Sequence, residues 1–125
     1  MDRALSEREQ EVLLALIDRG ADATEATSVT TVDRQRWRAQ VGGARVVGHC
    51  GCGSCPSIEL AIDGHSMPAD QVGRGRVVLE ASTSGALLLL FVDDDALSYL
   101  ELAPTEDEGR FPEFPPVDAI DLAAD

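Results

Sequence analysis

A two-layer α+β domain, with an N-terminal helix pair packed on a mainly antiparallel sheet of about five strands, is predicted by three features of the sequence. Apolar positions in the first forty residues recur at helical spacing, the period switches to two after Gly42-Gly43, and the strand-like segments that follow are joined by short polar turns. Short connections favour antiparallel neighbours, because parallel strands need a crossover of about a dozen residues or more.

The first helix is placed at 6–19. Ser6 and Glu9 stand at capping-box spacing, Val12, Leu13, Leu16 and Ile17 share one face, and Gly20 is available as a left-handed residue to end it. Ala21 to Thr31, rich in Thr, Ala and Asp, reads as a connecting loop. Asp33 is the expected cap of a shorter second helix that carries Trp37 and Val41 on one side and is broken by Gly42-Gly43. Strands are expected at Arg45 to His49, Ser57 to Asp63, Arg76 to Thr83, Ala86 to Val92 and Leu97 to Leu102. Ser84-Gly85 and Asp93-Asp94-Asp95 supply turn chemistry between the last three. Leu87 to Phe91 is apolar at every position, the pattern of a central strand buried on both faces.

Residues 1–103 therefore form one domain and 104–125 an acidic, proline-containing tail, which Phe111 and Phe114 can pin to the core. With 44% hydrophobic residues in a chain of 125, one core is affordable without a cofactor. The longest apolar run, Ala86 to Val92, has seven residues, far below the roughly 20 of a membrane helix. Met1 to Arg8 carries both charge signs and no secretory pattern, so the expected location is cytoplasmic, with no membrane partner.

Charge narrows the partners. The net charge is −13, and all ten basic residues are arginine. Nucleic acid is excluded as an expected partner, because phosphate binding exploits excess positive charge. Residues 93–125 hold 11 acids and one arginine, so the acidity is concentrated in the C-terminal third, which could solvate the tail or dock a basic protein. Arg34-Gln35-Arg36-Trp37-Arg38 interleaves bases with an aromatic, but reads better as a helix anchored by its tryptophan. Asp93 to Asp95 lacks the ligand spacing of a calcium loop, and His65 with Asp63 and Asp70 has no neighbouring nucleophile.

The most specific feature is His49-Cys50-Gly51-Cys52-Gly53-Ser54-Cys55-Pro56, which holds all three cysteines. In a reducing compartment, clustered thiols point to metal or redox chemistry more readily than to disulfides. Small residues between the sulfurs let the backbone curl, and Cys50, Cys52 and Cys55 would give zinc three of its four tetrahedral ligands. His49 is the candidate fourth, provided the chain has turned there, since neighbouring residues of a regular strand face opposite ways. His65 would lie roughly 26 Å along the following strand at about 3.3 Å per residue. Glu59, a water or a group from another subunit are the alternatives. A dithiol enzyme built on Cys52 and Cys55 would need a helix start after the pair, whereas Ser57 to Asp63 alternates as a strand. Without any ligand, the cysteines would be small buried residues in a glycine-rich turn.

Ala44 to Cys52, Cys55-Pro56-Ser57-Ile58-Glu59-Leu60, Leu88 to Asp94 and Leu97 to Leu102 together resemble an uncharacterised group of small bacterial proteins. That group has a Cys-rich turn before a Pro-Ser strand and a Leu-rich strand ending in an acidic turn. The resemblance spans roughly residues 35–103, supports a single domain and implies no activity. The expected function is a small, non-enzymatic zinc-binding domain. The alternative is an acidic protein-interaction module, such as an immunity or antitoxin-like inhibitor of a basic partner.

Overall fold

The computed structural model describes residues 3–23, 29–49, 56–62, 75–105 and 111–122. Among these residues it is an α+β fold with two α-helices on one face of a seven-stranded antiparallel sheet. In chain order the elements are β1 (Arg3–Ala4), α1 (Glu7–Arg19), β2 (Ala21–Asp22), α2 (Thr31–Gln40), β3 (Ala44–His49), β4 (Ile58–Ile62), β5 (Arg76–Thr83), β6 (Ala86–Asp93) and β7 (Ala96–Pro104). Across the sheet the order is β1-β3-β4-β7-β6-β5-β2. The five expected strands are all present. The two further ones, β1 and β2, are two-residue edge strands, too short to show a period in sequence; such short edges discourage pairing with other chains.

Helix α1 starts as its sequence dictates. Ser6 Oγ accepts from the Glu9 N–H at 3.1 Å and Glu9 Oε1 accepts from the Ser6 N–H at 2.8 Å. Its end differs from expectation. Gly20 has φ −66°, so it is not left-handed; a Cβ there would lie 2.6 Å from the Leu16 carbonyl oxygen, and close backbone approach is what demands glycine. Helix α2 is capped by Thr30 rather than Asp33. Asp33 is the N3 partner of that capping box, a role its spacing from Thr30 allowed and the sequence reading missed.

The core lies between the helices and one sheet face. Val12, Leu13, Leu16, Ile17 and Trp37 meet Val46, Ile58, Leu79, Leu88, Leu90 and Leu100, all fully buried. Strand β6 is not buried on both faces as its composition suggested. Leu88, Leu90 and Val92 face the helices, whereas Leu87, Leu89 and Phe91 are only half-buried on the opposite face. The apolar run records the strand's central position in the sheet and overstates its covering.

The β6–β7 turn holds the two layers together. Asp94 and Asp95 have φ of 49° and 65°, a pair of left-handed residues suited to a two-residue hairpin, and aspartate tolerates this conformation better than most residues. The Asp95 carboxylate points inward and is fully buried. It accepts from Arg36 Nε and Nη2, each at 2.6 Å, and from the Trp37 indole N–H at 2.9 Å, while Gln40 Nε2 donates to its carbonyl at 2.7 Å. Arg36 also reaches Asp33 at 2.7 Å, and Gln40 Oε1 accepts from the Leu97 N–H at 3.0 Å. Burying this charge is tolerable because its oxygens are met by fixed donors.

The C-terminal segment is docked on the same framework. Phe114 is buried, its carbonyl accepts from Arg8 Nη1 at 2.9 Å, and Asp121 exchanges backbone hydrogen bonds with Ser82 on β5. Thr83 Oγ1 donates to the Ala119 carbonyl at 2.7 Å, and Phe111 packs half-buried against the core. No helix among the described residues is long and apolar enough to cross a membrane.

Candidate functional site

The end of the β3–β4 hairpin carries the cysteine segment. Cys50, Cys52 and Cys55 lie outside the described residues, as do His65, Asp63 and Asp70. The residues flanking the segment are described. His49 pairs with Ile58 in the antiparallel ladder, so the chain leaves β3 and returns to β4 at neighbouring points, about 5 Å apart between Cα atoms. The returning side is fixed a second time by Ser57, which is buried. Its Oγ accepts from the Leu102 N–H at 2.9 Å and donates to the Leu102 carbonyl at 3.4 Å, tying the exit of the turn to β7.

His49 is turned by a β-bulge. The register runs Val46 to Leu60 and then Gly48 to Glu59, leaving Val47 as an extra residue on β3. A regular strand would place His49 on the face opposite Val46. Through the bulge it shares the helix-side face with its partner Ile58, because directly paired residues project to the same side. The inserted residue, for which a single sequence offers no signal, puts His49 on the helix side of the hairpin, while the three cysteines it would join lie outside the described residues. Glu59 goes the other way. It packs over Gly48 on the open face, where a Cβ on Gly48 would lie 2.7 Å from Glu59 Oε2, so Glu59 and His49 are on opposite sides of the hairpin.

On the helix side His49 and Pro56 open onto a cleft of about 230 Å³ shared with Arg3, Ser6, Arg8 and Phe114. The cleft sits at the N-terminal end of α1, where the helix dipole and free N–H groups favour negative charge. Arg3 clamps Glu9 with two parallel hydrogen bonds of 2.8 Å. That contact, with the Ser6 N–H and against the opposing effect of burial, holds the Glu9 carboxyl below its ordinary value of 4.5. Arg8 approaches Glu113 at 3.7 Å. The depressed Glu9 value fixes the sign of a pH effect. Its contribution to stability is complete above the unfolded-state value near 4.5 and is lost as pH falls through the lower folded-state value. Glu9→Gln, which keeps the shape but not the charge, is expected to cost about 1–2 kcal/mol near neutrality, a difference that shrinks below about pH 4.5 in urea unfolding curves.

The other charged motifs are accounted for by the fold. Arg34 donates to the carbonyls of Ile17 and Gly20, each at 3.0 Å, closing the end of α1. Arg36 is held by Asp95 and Asp33, and Arg38 pairs with Asp18. The arginine-tryptophan stretch is therefore a helix anchor, as its sequence reading favoured. Asp95 is engaged by Arg36, and Asp93 by Arg76 at 2.7 Å, so two carboxylates of the acidic turn are neutralised by guanidinium groups rather than arranged for calcium. Pro56 and Ser57 lead directly into β4, so the turn is not followed by the helix start a thioredoxin-like dithiol uses. No protein-family model, curated protein or solved structure matches the chain.

Proposed function

We propose that the chain is a small zinc-binding domain in which Cys50, Cys52 and Cys55, with His49 as fourth ligand, hold one ion at the end of the β3–β4 hairpin. The observation that supports this most is the pairing of His49 with Ile58 behind a bulge, which brings the two flanks of the cysteine segment together and turns the histidine to the helix side. Pairing of the two flanks lowers the loop-closure entropy of gathering the ligands. Charge agrees. Three thiolates and a neutral imidazole around Zn²⁺ leave one net negative charge, and the flanks of the turn lie beside the α1 N-terminus, Arg3 and Arg8. The role is structural rather than catalytic, since a complete ligand set leaves no open position. Such a site belongs in the reducing cytoplasm, where thiols are not consumed by disulfides.

The test is the zinc content of reduced protein prepared without a metal-affinity column, for the parent chain and for Cys52→Ser. About one zinc per chain, with loss of metal and a lower melting temperature in the variant, is the expected result. Sub-stoichiometric zinc in the parent, together with an unchanged melting temperature in Cys52→Ser, overturns the proposal.

A further inference from the structure

Among the described residues no helix or strand covers the sheet face opposite the helices, yet it is not the face of a solvated layer. An antiparallel sheet with one side in water normally alternates apolar-in with polar-out. Strand β6 instead turns Leu87, Leu89 and Phe91 outward, each half-buried, with no polar side chain until Asp93. Val78 and Tyr99 flank Phe91 in register on β5 and β7, widening the apolar strip. Carboxylates border it on both sides. Glu80 and Glu101 stand opposite Leu89 on β5 and β7, and Glu59 stands opposite Tyr99 on β4. Among the described residues none of these three glutamates is in an ion pair, whereas the nearby cation Arg76 is already held by Asp93 and lies 4.6 Å over the Phe91 ring. A cleft of about 450 Å³ opens between Glu59, Tyr99, Phe91 and Glu101.

We infer that this face docks a basic amphipathic helix of another protein, lying along β6 with its apolar stripe on Leu87, Leu89 and Phe91 and its cations over the bordering glutamates. The dimensions fit. Leu87 to Phe91 spans about 13 Å of strand, close to the roughly 10.5 Å between positions i and i+7 of a helical stripe. Glu80 and Glu101 are two strand spacings apart, roughly 9.6 Å, about the width of a helix, so arginine or lysine on each flank reaches a carboxylate. A second copy is disfavoured by charge, because apposing two such faces would set glutamates against glutamates in a chain of net charge −13. The inference is independent of the proposed zinc site, which would lie at the end of the β3–β4 hairpin.

Calorimetric titration of the full reduced chain with two synthetic helical peptides of about 18 residues tests it. Both peptides have the same leucine and lysine content, one ordered as an amphipathic stripe and one scrambled. The striped peptide is expected to bind at least about tenfold more tightly. Leu89→Ser, and separately Glu80→Lys with Glu101→Lys, are each expected to weaken it by about tenfold or more, with melting curves showing that the variants are folded. Glu7→Gln with Glu11→Gln, which removes the same charge from exposed positions of α1 on the other side of the sheet, should leave binding within about twofold. Equal binding of the scrambled peptide, no binding of either, or indifference to the face variants overturns the inference. So does sedimentation of the parent chain as a dimer that Leu89→Ser dissociates, which would make a second copy the occupant.

Discussion

Asp95→Ala is expected to lower folding stability by about 3–5 kcal/mol, the cost of removing the buried acceptor that Arg36 and Trp37 share. The carboxylate is fully buried and accepts from Arg36 and Trp37, so its removal strands donors on two consecutive residues of α2. Alanine also fits poorly at φ 65°. Two controls separate these causes. Asp95→Asn keeps the left-handed tolerance and one acceptor oxygen and removes only the charge, so its cost should be intermediate. Pairing Asp95→Ala with Arg36→Met should recover part of the loss, because the stranded guanidinium goes with its partner. Asp94→Asn, next along the turn and exposed, should stay within about 0.5 kcal/mol of the parent. Urea unfolding followed by circular dichroism measures all four. A cost for Asp95→Ala no greater than that for Asp94→Asn would show that the network does not join helix to sheet.

Trp37→Ala is expected to cost a similar amount, about 3–5 kcal/mol, by a different route. Trp37 is the largest fully buried side chain and stands between the helices and β7, so its truncation leaves a cavity that rigid elements on both sides cannot close. Trp37→Phe keeps most of the volume and loses the indole N–H to Asp95. It should cost about 1–2 kcal/mol, and the difference between the two variants divides packing from hydrogen bonding. Since Trp37 is the single tryptophan, its fluorescence in the parent reports the layer interface directly. Its transition in urea should coincide with that of circular dichroism if the two layers unfold as one unit.

Much of this architecture was legible in the sequence because the physics that sets it is local. The capping box of α1, the apolar spacing of Val12, Leu13, Leu16 and Ile17, and the turn residues Ser84-Gly85 and Asp94-Asp95 act within a few positions, and each appears where its pattern placed it. What escaped depends on distant partners. Gly20 is required by the approach of the Leu16 carbonyl, β1 and β2 exist only because β3 and β5 offer edges, and Asp95 reads as one of three turn carboxylates until Arg36 and Trp37 arrive from α2. Leu87, Leu89 and Phe91 misled for a related reason. Their composition signals a covered strand, and composition does not say whether the cover comes from the same chain.

The candidate site divides the same way. The cysteine spacing and the choice of His49 come from sequence alone, as does the strand that follows the turn. The bulge at Val47 and the anchoring of Ser57 to Leu102 depend on register and could be seen only in three dimensions. Together they put His49 on the helix side, beside the flanking Pro56, and fix where the chain re-enters the sheet after the cysteine segment.

X-ray absorption at the zinc edge, on reduced protein reconstituted with one equivalent of the metal, reads the ligand set itself. Three sulfurs at about 2.3 Å and one nitrogen at about 2.0–2.1 Å are expected, with the nitrogen replaced in His49→Ala and one sulfur lost in Cys52→Ser. A shell of oxygen atoms, or a parent spectrum that neither substitution changes, would contradict a metal held by the β3–β4 turn.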